Sequence, residues 1–217
     1  MEDNSLLAMT EQFAARICHD LVGPVGAIAN GVELLADDGG RADPEVVSLI
    51  ATSARTASRR LQYYRAAFGS GNAISTAKPL ADARALAISI MEDGKVALDW
   101  GAPAAACEAM AGRDTVKIML NLLLVALESL PRGGTVRLSV APTGDGLDVA
   151  FSAEGQQARI PDDARKVLEG AAASNELTPR AVPARLARLV AESAGAALAV
   201  SESDGAVRLT ARIPRAA

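Results

Sequence analysis

One histidine, two cysteines, one tryptophan, two tyrosines and three phenylalanines in 217 residues deny this chain the materials of several function classes. A lone imidazole cannot build a multi-histidine metal site. Cys18 and Cys107 offer neither metal-ligand spacing nor a disulfide framework. The longest apolar run, Ile118 to Leu127, is interrupted by Asn121 and is too short to span a bilayer. There is no basic excess either. Lys and Arg total 22 against 26 Asp and Glu, a net charge of −4, whereas a general nucleic-acid binder is normally basic. The acidic start, Met1 to Asn4, lacks the basic-then-apolar pattern of a signal peptide. The expectation is a soluble cytoplasmic protein with no nucleic-acid or membrane partner.

What remains is apolar and small. Half the residues are hydrophobic, alanine supplies much of that half, and small side chains favour closely packed helices. Leu6, Phe13, Ile17, Leu21, Ile28, Val32 and Leu35 recur with helical spacing, and Gly39-Gly40 marks the stop. Asp43-Pro44 reads as an N-cap followed by proline at the first helical position. A second helix runs to about Phe68, making a hairpin. Gly69 to Asn72 is a break, so the chain divides into residues 1–72 and 73–217. After the break helices and strands alternate. The pattern predicts helices over 79–91, 114–130, 162–168 and 179–193. Strands are predicted over 96–100, 135–141, 147–152, 197–201 and 207–213, the last pair turning at Asp204-Gly205. The fold class is α+β: a helical hairpin followed by an α/β sandwich with one layer of sheet and one of helices.

His19 lies in the first helix. Advancing about 100° per residue from Phe13, the apolar stripe falls within roughly 0–100° and His19 near 240°. The ring therefore faces away from the helix's apolar side. Gln12, Ala15, Arg16, Gly23, Gly26 and Asn30 share its face. Gly23 and Gly26 each weaken the helix by about 1 kcal/mol relative to alanine, yet they clear space beyond the imidazole. Pro24 removes a backbone N–H one to two turns on. Neutral imidazole is nucleophilic near neutral pH, and what one exposed histidine can do alone is accept a phosphoryl group. An apolar stripe on each helix of a lone hairpin leaves apolar surface facing water. Pairing two hairpins into a four-helix bundle covers it, most simply as a two-fold homodimer.

His19-Asp20-Leu21-Val22-Gly23-Pro24-Val25 resembles the histidine-acidic-x-x-x-proline-apolar box of sensor kinase dimerisation domains. Cys18 to Leu21, Pro24-Val25 and Ala27 to Leu35 resemble, more closely, the ChpT-type histidine phosphotransferases of alphaproteobacteria. The resemblance implies a dimerisation and phosphotransfer hairpin over 1–72 and a degenerate kinase-like sandwich over 73–217. It also implies a phosphorelay. The receiver-domain aspartate of a hybrid histidine kinase would donate to His19, which would pass the group to the aspartate of response regulators. Mg2+ would come with the receiver, and this chain would bind no cofactor and no metal. On this reading Asp20 either orients the imidazole or pairs with a basic residue of the second helix. Gln12, Ala15, Arg16, Gly23, Gly26 and Asn30 make the docking face. Arg55 and Arg59 stand one turn apart on the second helix, near Arg60 and Arg65, and can steer an acidic receiver. Cys18 is read as packing.

The nucleotide boxes of the kinase-like half are broken. Asn121 to Gly134 keeps the helix-turn-strand frame, but Val125 stands where the magnesium-binding asparagine belongs. Ala153 to Gln157 lacks the adenine-binding aspartate, and Asn175 to Pro183 lacks a glycine-rich lid. ATP-dependent autophosphorylation is not expected. Gly23 also replaces the water-orienting Thr or Asn of bifunctional kinases, against strong phosphatase activity. The alternatives are a non-catalytic dimeric adaptor that binds receiver domains and, behind it, an ATP-dependent kinase core.

Overall fold

The first helix, α1, runs unbroken through Pro24 from Glu2 to Asp37, two to four residues beyond its apolar periodicity at each end. In the computed structural model the described residues are 2–37, 43–69, 74–91, 94–171 and 177–215. The expected stop at Gly39-Gly40, the break over 70–72 with the boundary between 72 and 73, and Asn175-Glu176 lie outside them. Helix α2 (Pro44–Ala67) starts as its sequence predicts. Asp43 is extended and its carboxylate accepts from the Glu45 N–H, with Pro44 at the first helical position. The two helices pack as a hairpin. Gly31 is buried in their contact, where a Cβ would sit 2.5 Å from Cγ1 of Ile50.

The remaining elements are α3 (Pro79–Met91), β1 (Val96–Asp99), α4 (Ala105–Glu108), α5 (Arg113–Glu128), β2 (Gly134–Pro142), β3 (Gly146–Glu154), α6 (Asp162–Glu169), α7 (Val182–Ser193), β4 (Ala197–Ser203) and β5 (Ala206–Pro214). The strands form one sheet in the order β1-β2-β3-β5-β4. Only β1 and β2 are parallel. Gly205 turns β4 into β5 at φ +73°, a conformation that suits glycine. Inward residues Val136, Leu138, Val149, Phe151, Leu209 and Ala211 are buried. The other face carries Arg137, paired with Glu154, and Arg212, paired with Asp148. The strands alternate apolar and polar because helices cover one face only.

Helix α5 is the centre of the core. Val116 to Ala126 is almost wholly buried, with Lys117 the one side chain left part-exposed. It packs on the sheet, on α7, on α3 and on the C-terminal end of α2. Tyr63, Tyr64, Ala66 and Ala67 of α2 belong to the same apolar cluster as the sheet. The Tyr63 hydroxyl donates to the Leu120 carbonyl at 2.6 Å, and the Asn121 amide donates to the Ala67 carbonyl at 2.8 Å. The hairpin is thus anchored at its base in the sandwich.

Two elements depart from expectation. The helix expected from Pro179 begins as a 3-10 turn, Pro179–Ala181, and becomes α-helical at Val182. Pro183 explains this. It has no N–H for the Pro179 carbonyl four residues earlier, and the Val182 N–H takes that carbonyl instead. The single turn α4 is too short for any periodicity. Its Glu108 carboxylate accepts from the Leu80 and Ala81 N–H groups at 2.9 and 2.8 Å, capping α3 from a distant segment.

Gly31→Ala is expected to lower the melting temperature, because overpacking a tight contact costs about 1–3 kcal/mol. Gly23→Ala, whose Cβ meets nothing within 4 Å, is expected to raise stability by up to about 1 kcal/mol. Thermal denaturation of the two single variants checks the opposite signs.

Candidate functional site

His19 projects from the middle of α1 with 84% of its side chain exposed, as the helical wheel predicts. Its Nδ1 lies 3.0 Å from Oδ1 of Asp20. A carboxylate only accepts, so the pair places the ring proton on Nδ1 and leaves the lone pair on Nε2. Gly23 and Gly26, one and two turns on, have no atom near their missing Cβ positions. The approach along the helix is open.

Asp20 is the hub beneath the ring. Its Oδ2 accepts from Nε of Arg16 at 2.7 Å and from the Tyr64 hydroxyl on α2. Burial opposes its ionisation, yet the hydrogen bonds from Tyr64, His19 and Arg16 prevail and hold its carboxyl below the usual range. Tyr64 is pushed above the ordinary phenol value by burial and by donating to Asp20, so it remains a donor. Arg16 pairs through Nη1 with Glu128, the last residue of α5. Burial works against the guanidinium charge, but Glu128 and Asp20 outweigh it and hold Arg16 protonated more firmly than usual. Burial pushes the Glu128 carboxyl up, against the pull of Arg16 and Arg180. The Glu128 backbone carbonyl accepts from Arg180 at 3.0 Å. Its Oε2 makes no hydrogen bond and lies 3.6 Å from Arg180 Nε, at ion-pair distance only.

The backbone at Asp20 is also held. Pro24 has no N–H to bond the carbonyl four residues earlier, which is that of Asp20. Arg60 of α2 donates to this carbonyl in its place. The donor that Pro24 lacks is replaced by an arginine from the neighbouring helix.

Asp20 faces the imidazole through Oδ1, but the basic partner of its carboxylate is Arg16 of the same helix; from the second helix Tyr64 reaches the carboxylate, and the basic Arg60 reaches only the backbone carbonyl. On the expected docking face Ala15, Gly23 and Asn30 are exposed, and Gln12 and Gly26 half-buried. Arg16 is a correction. Only 12% of its side chain is exposed, and its charge is spent on Asp20 and Glu128, so it faces inward rather than toward a partner. The wheel positions of one helix cannot reveal that a later element, α5, packs over that edge. Of the arginines on α2, Arg55 and Arg65 are exposed, Arg55 bonding Thr52, and Arg60 is engaged at the site. Tyr64 and Glu128 were not foreseen as site residues. In the sequence Tyr64 lies near the end of the second helix and Glu128 near the end of the helix over 114–130, and no local pattern ties either to His19. The Pro24–Asp20 spacing was the available signal for a donor such as Arg60.

The apolar surface of α1 is wider than one stripe. Phe13, Ile17, Leu21, Pro24 and Ile28 are half-buried in this chain, while Val22, Val25, Ala29 and Val32 form an adjacent exposed strip, with Val22 69% exposed. Cys18 lies on that strip. Val47, Ala54 and Leu61 are exposed along α2.

Comparison with known proteins identifies the family. Residues 80–206, more than half the chain, match the family described as histidine phosphotransferase C-terminal domain. Protein phosphotransferase ChpT of Brucella abortus (strain 2308) is 33% identical over 198 residues, spanning 90% of this chain and 91% of that protein. A solved bacterial phosphotransferase at 1.7 Å resolution superposes with a TM-score of 0.79 at 30% identity, covering 95% of this chain and 96% of its own. The chain belongs to the histidine phosphotransferase family.

Proposed function

We propose that this phosphotransferase works in a phosphorelay by carrying the phosphoryl group on Nε2 of His19. It receives the group from the receiver domain of a hybrid histidine kinase and delivers it to response regulators. The observation that carries this reading is a single exposed imidazole whose Nδ1 faces a fixed carboxylate. The Nε2 lone pair attacks phosphorus of the donor's aspartyl phosphate. The bond from phosphorus to the aspartyl oxygen breaks, and its electron pair returns to the donor carboxylate. As the ring gains positive charge, its Nδ1–H bond to Asp20 strengthens. Attack by the recipient's aspartate reverses these events and frees Nε2. Phosphoryl transfer needs position and charge neutralisation more than covalent help. Asp20 and the open face at Gly23 and Gly26 supply the position.

The Mg2+ that shields phosphoryl oxygens belongs, in this reading, to the visiting receiver. Asp20 does not suit a metal ligand, since Arg16 and Tyr64 already occupy its Oδ2. A nucleotide role fits the residues no better. Val125 is fully buried, and Asn121, also buried, donates to the Ala67 and Lys117 carbonyls. Glu154, in the segment aligned with the adenine box, pairs with Arg137.

A second copy of the chain is the proposed cover for the exposed strip of α1 and α2, giving a four-helix bundle in which both His19 rings stay outside. The strip is apolar on both helices, as a self-complementary surface must be. Val25→Glu is expected to reduce the mass in solution from twice 22.3 kDa to 22.3 kDa. Light scattering checks it, and an unchanged mass would show that this face is not the interface.

Incubation with phosphorylated receiver domains should place acid-labile label on the protein, and His19→Ala should abolish it. Label that survives in His19→Ala puts the acceptor elsewhere; no label from any receiver leaves only the adaptor role. Asp20→Asn is expected to be slower than Asp20→Ala. Its amide can donate to Nδ1 and force the proton to Nε2, a loss on the order of 10²-fold. Single-turnover transfer rates of the two variants give the comparison.

A further inference from the structure

The two carboxylate oxygens of Asp20 have separate duties. Oδ1 meets His19, and Oδ2 is gripped from two directions, by Arg16 on the same helix and by Tyr64 on the next. A free aspartate beside a histidine rotates about two bonds and shares its oxygens with water. Here rotation would break both bonds at Oδ2. The donors are themselves fixed. The Tyr64 ring stacks on Phe68 at 4.9 Å with planes 12° apart, and meets Tyr63 edge-on at 6.3 Å. Arg16 is tied by Nη1 to Glu128 of α5, whose side chain is 17% exposed. A chain of polar contacts therefore runs from the sandwich to the imidazole. Buried ion pairs add little net stability, because desolvation offsets their attraction. Their evident effect here is geometric.

We propose that Tyr64, Arg16 and Glu128 are positioning residues for His19: they hold Oδ2 of Asp20 so that Oδ1 fixes the Nδ1–H tautomer and leaves the Nε2 lone pair facing solvent. The consequence for transfer rate rests on His19 being the phosphoacceptor; the tautomer itself does not. The kinase-like half thereby acquires a task at the reacting ring, exerted through the end of α5.

Because His19 is the only histidine, an 15N-labelled sample of the full chain gives one imidazole spin system. Long-range 1H–15N correlation at pH 8 should show a protonated Nδ1 and an unprotonated Nε2. Tyr64→Phe keeps the ring packing and removes the hydroxyl. It is expected to move the ring toward the Nε2–H tautomer and to slow transfer from a phosphorylated receiver about tenfold. Glu128→Gln should act in the same direction more weakly. In an Asp20→Ala background neither substitution should change the tautomer or the rate further. A purely structural role predicts lowered melting temperatures with unchanged ring shifts, and rate losses that persist without Asp20. Either of those results, or an Nε2–H tautomer in the unmodified protein, overturns the proposal. Should no receiver label the protein while Tyr64→Phe still shifts the tautomer, the positioning stands and the phosphoacceptor assignment falls.

Discussion

The Asp20 carboxylate is where the parts of this molecule meet. It takes His19 on one oxygen and Arg16 with Tyr64 on the other, while its backbone carbonyl takes Arg60. Each donor comes from a place the chain must fold to supply: the same helix, the facing helix and, behind Arg16, the last turn of α5. The carboxylate stays ionised despite burial because those donors outweigh the desolvation. Loss of one leaves a buried charge partly unmatched, which costs more than the formed bond contributes. The site is therefore assembled only when hairpin and sandwich are both in place.

Much of the architecture is legible in the sequence because local rules and tertiary packing agree. Asp43-Pro44 starts a helix, Gly205 turns a hairpin, and the strands of the sheet read as alternating runs. Where local rules mislead, one neighbour is responsible. Pro183 shortens an expected helix by depriving Pro179 of its partner. The turn at Ala105–Glu108 has too few residues to show a period, and its value lies in capping α3 across a long sequence separation.

The site divides the same way. Exposure of His19 follows from about 100° per residue and needs nothing else. Arg16 defeats the same reasoning, because its wheel position says outward while α5 brings Glu128 over it. Tyr64 is ambiguous in sequence for a chemical reason. Its ring packs as an apolar residue while its hydroxyl serves as a polar one. Pro24 is readable as the loss of one backbone donor; that Arg60 replaces it depends on the second helix being in place.

The base of the hairpin has a bearing on how partners must behave. Tyr63 reaches the α5 backbone and Asn121 reaches back to the end of α2, both inside the common core. Swinging the sandwich away from the hairpin would break both bonds and expose the apolar core around them. The span from the imidazole to the sheet unit is accordingly a set length, like the notch spacing of a gauge. Any protein that touched both ends at once would meet them at that one separation, because the host offers a single spacing and not a range.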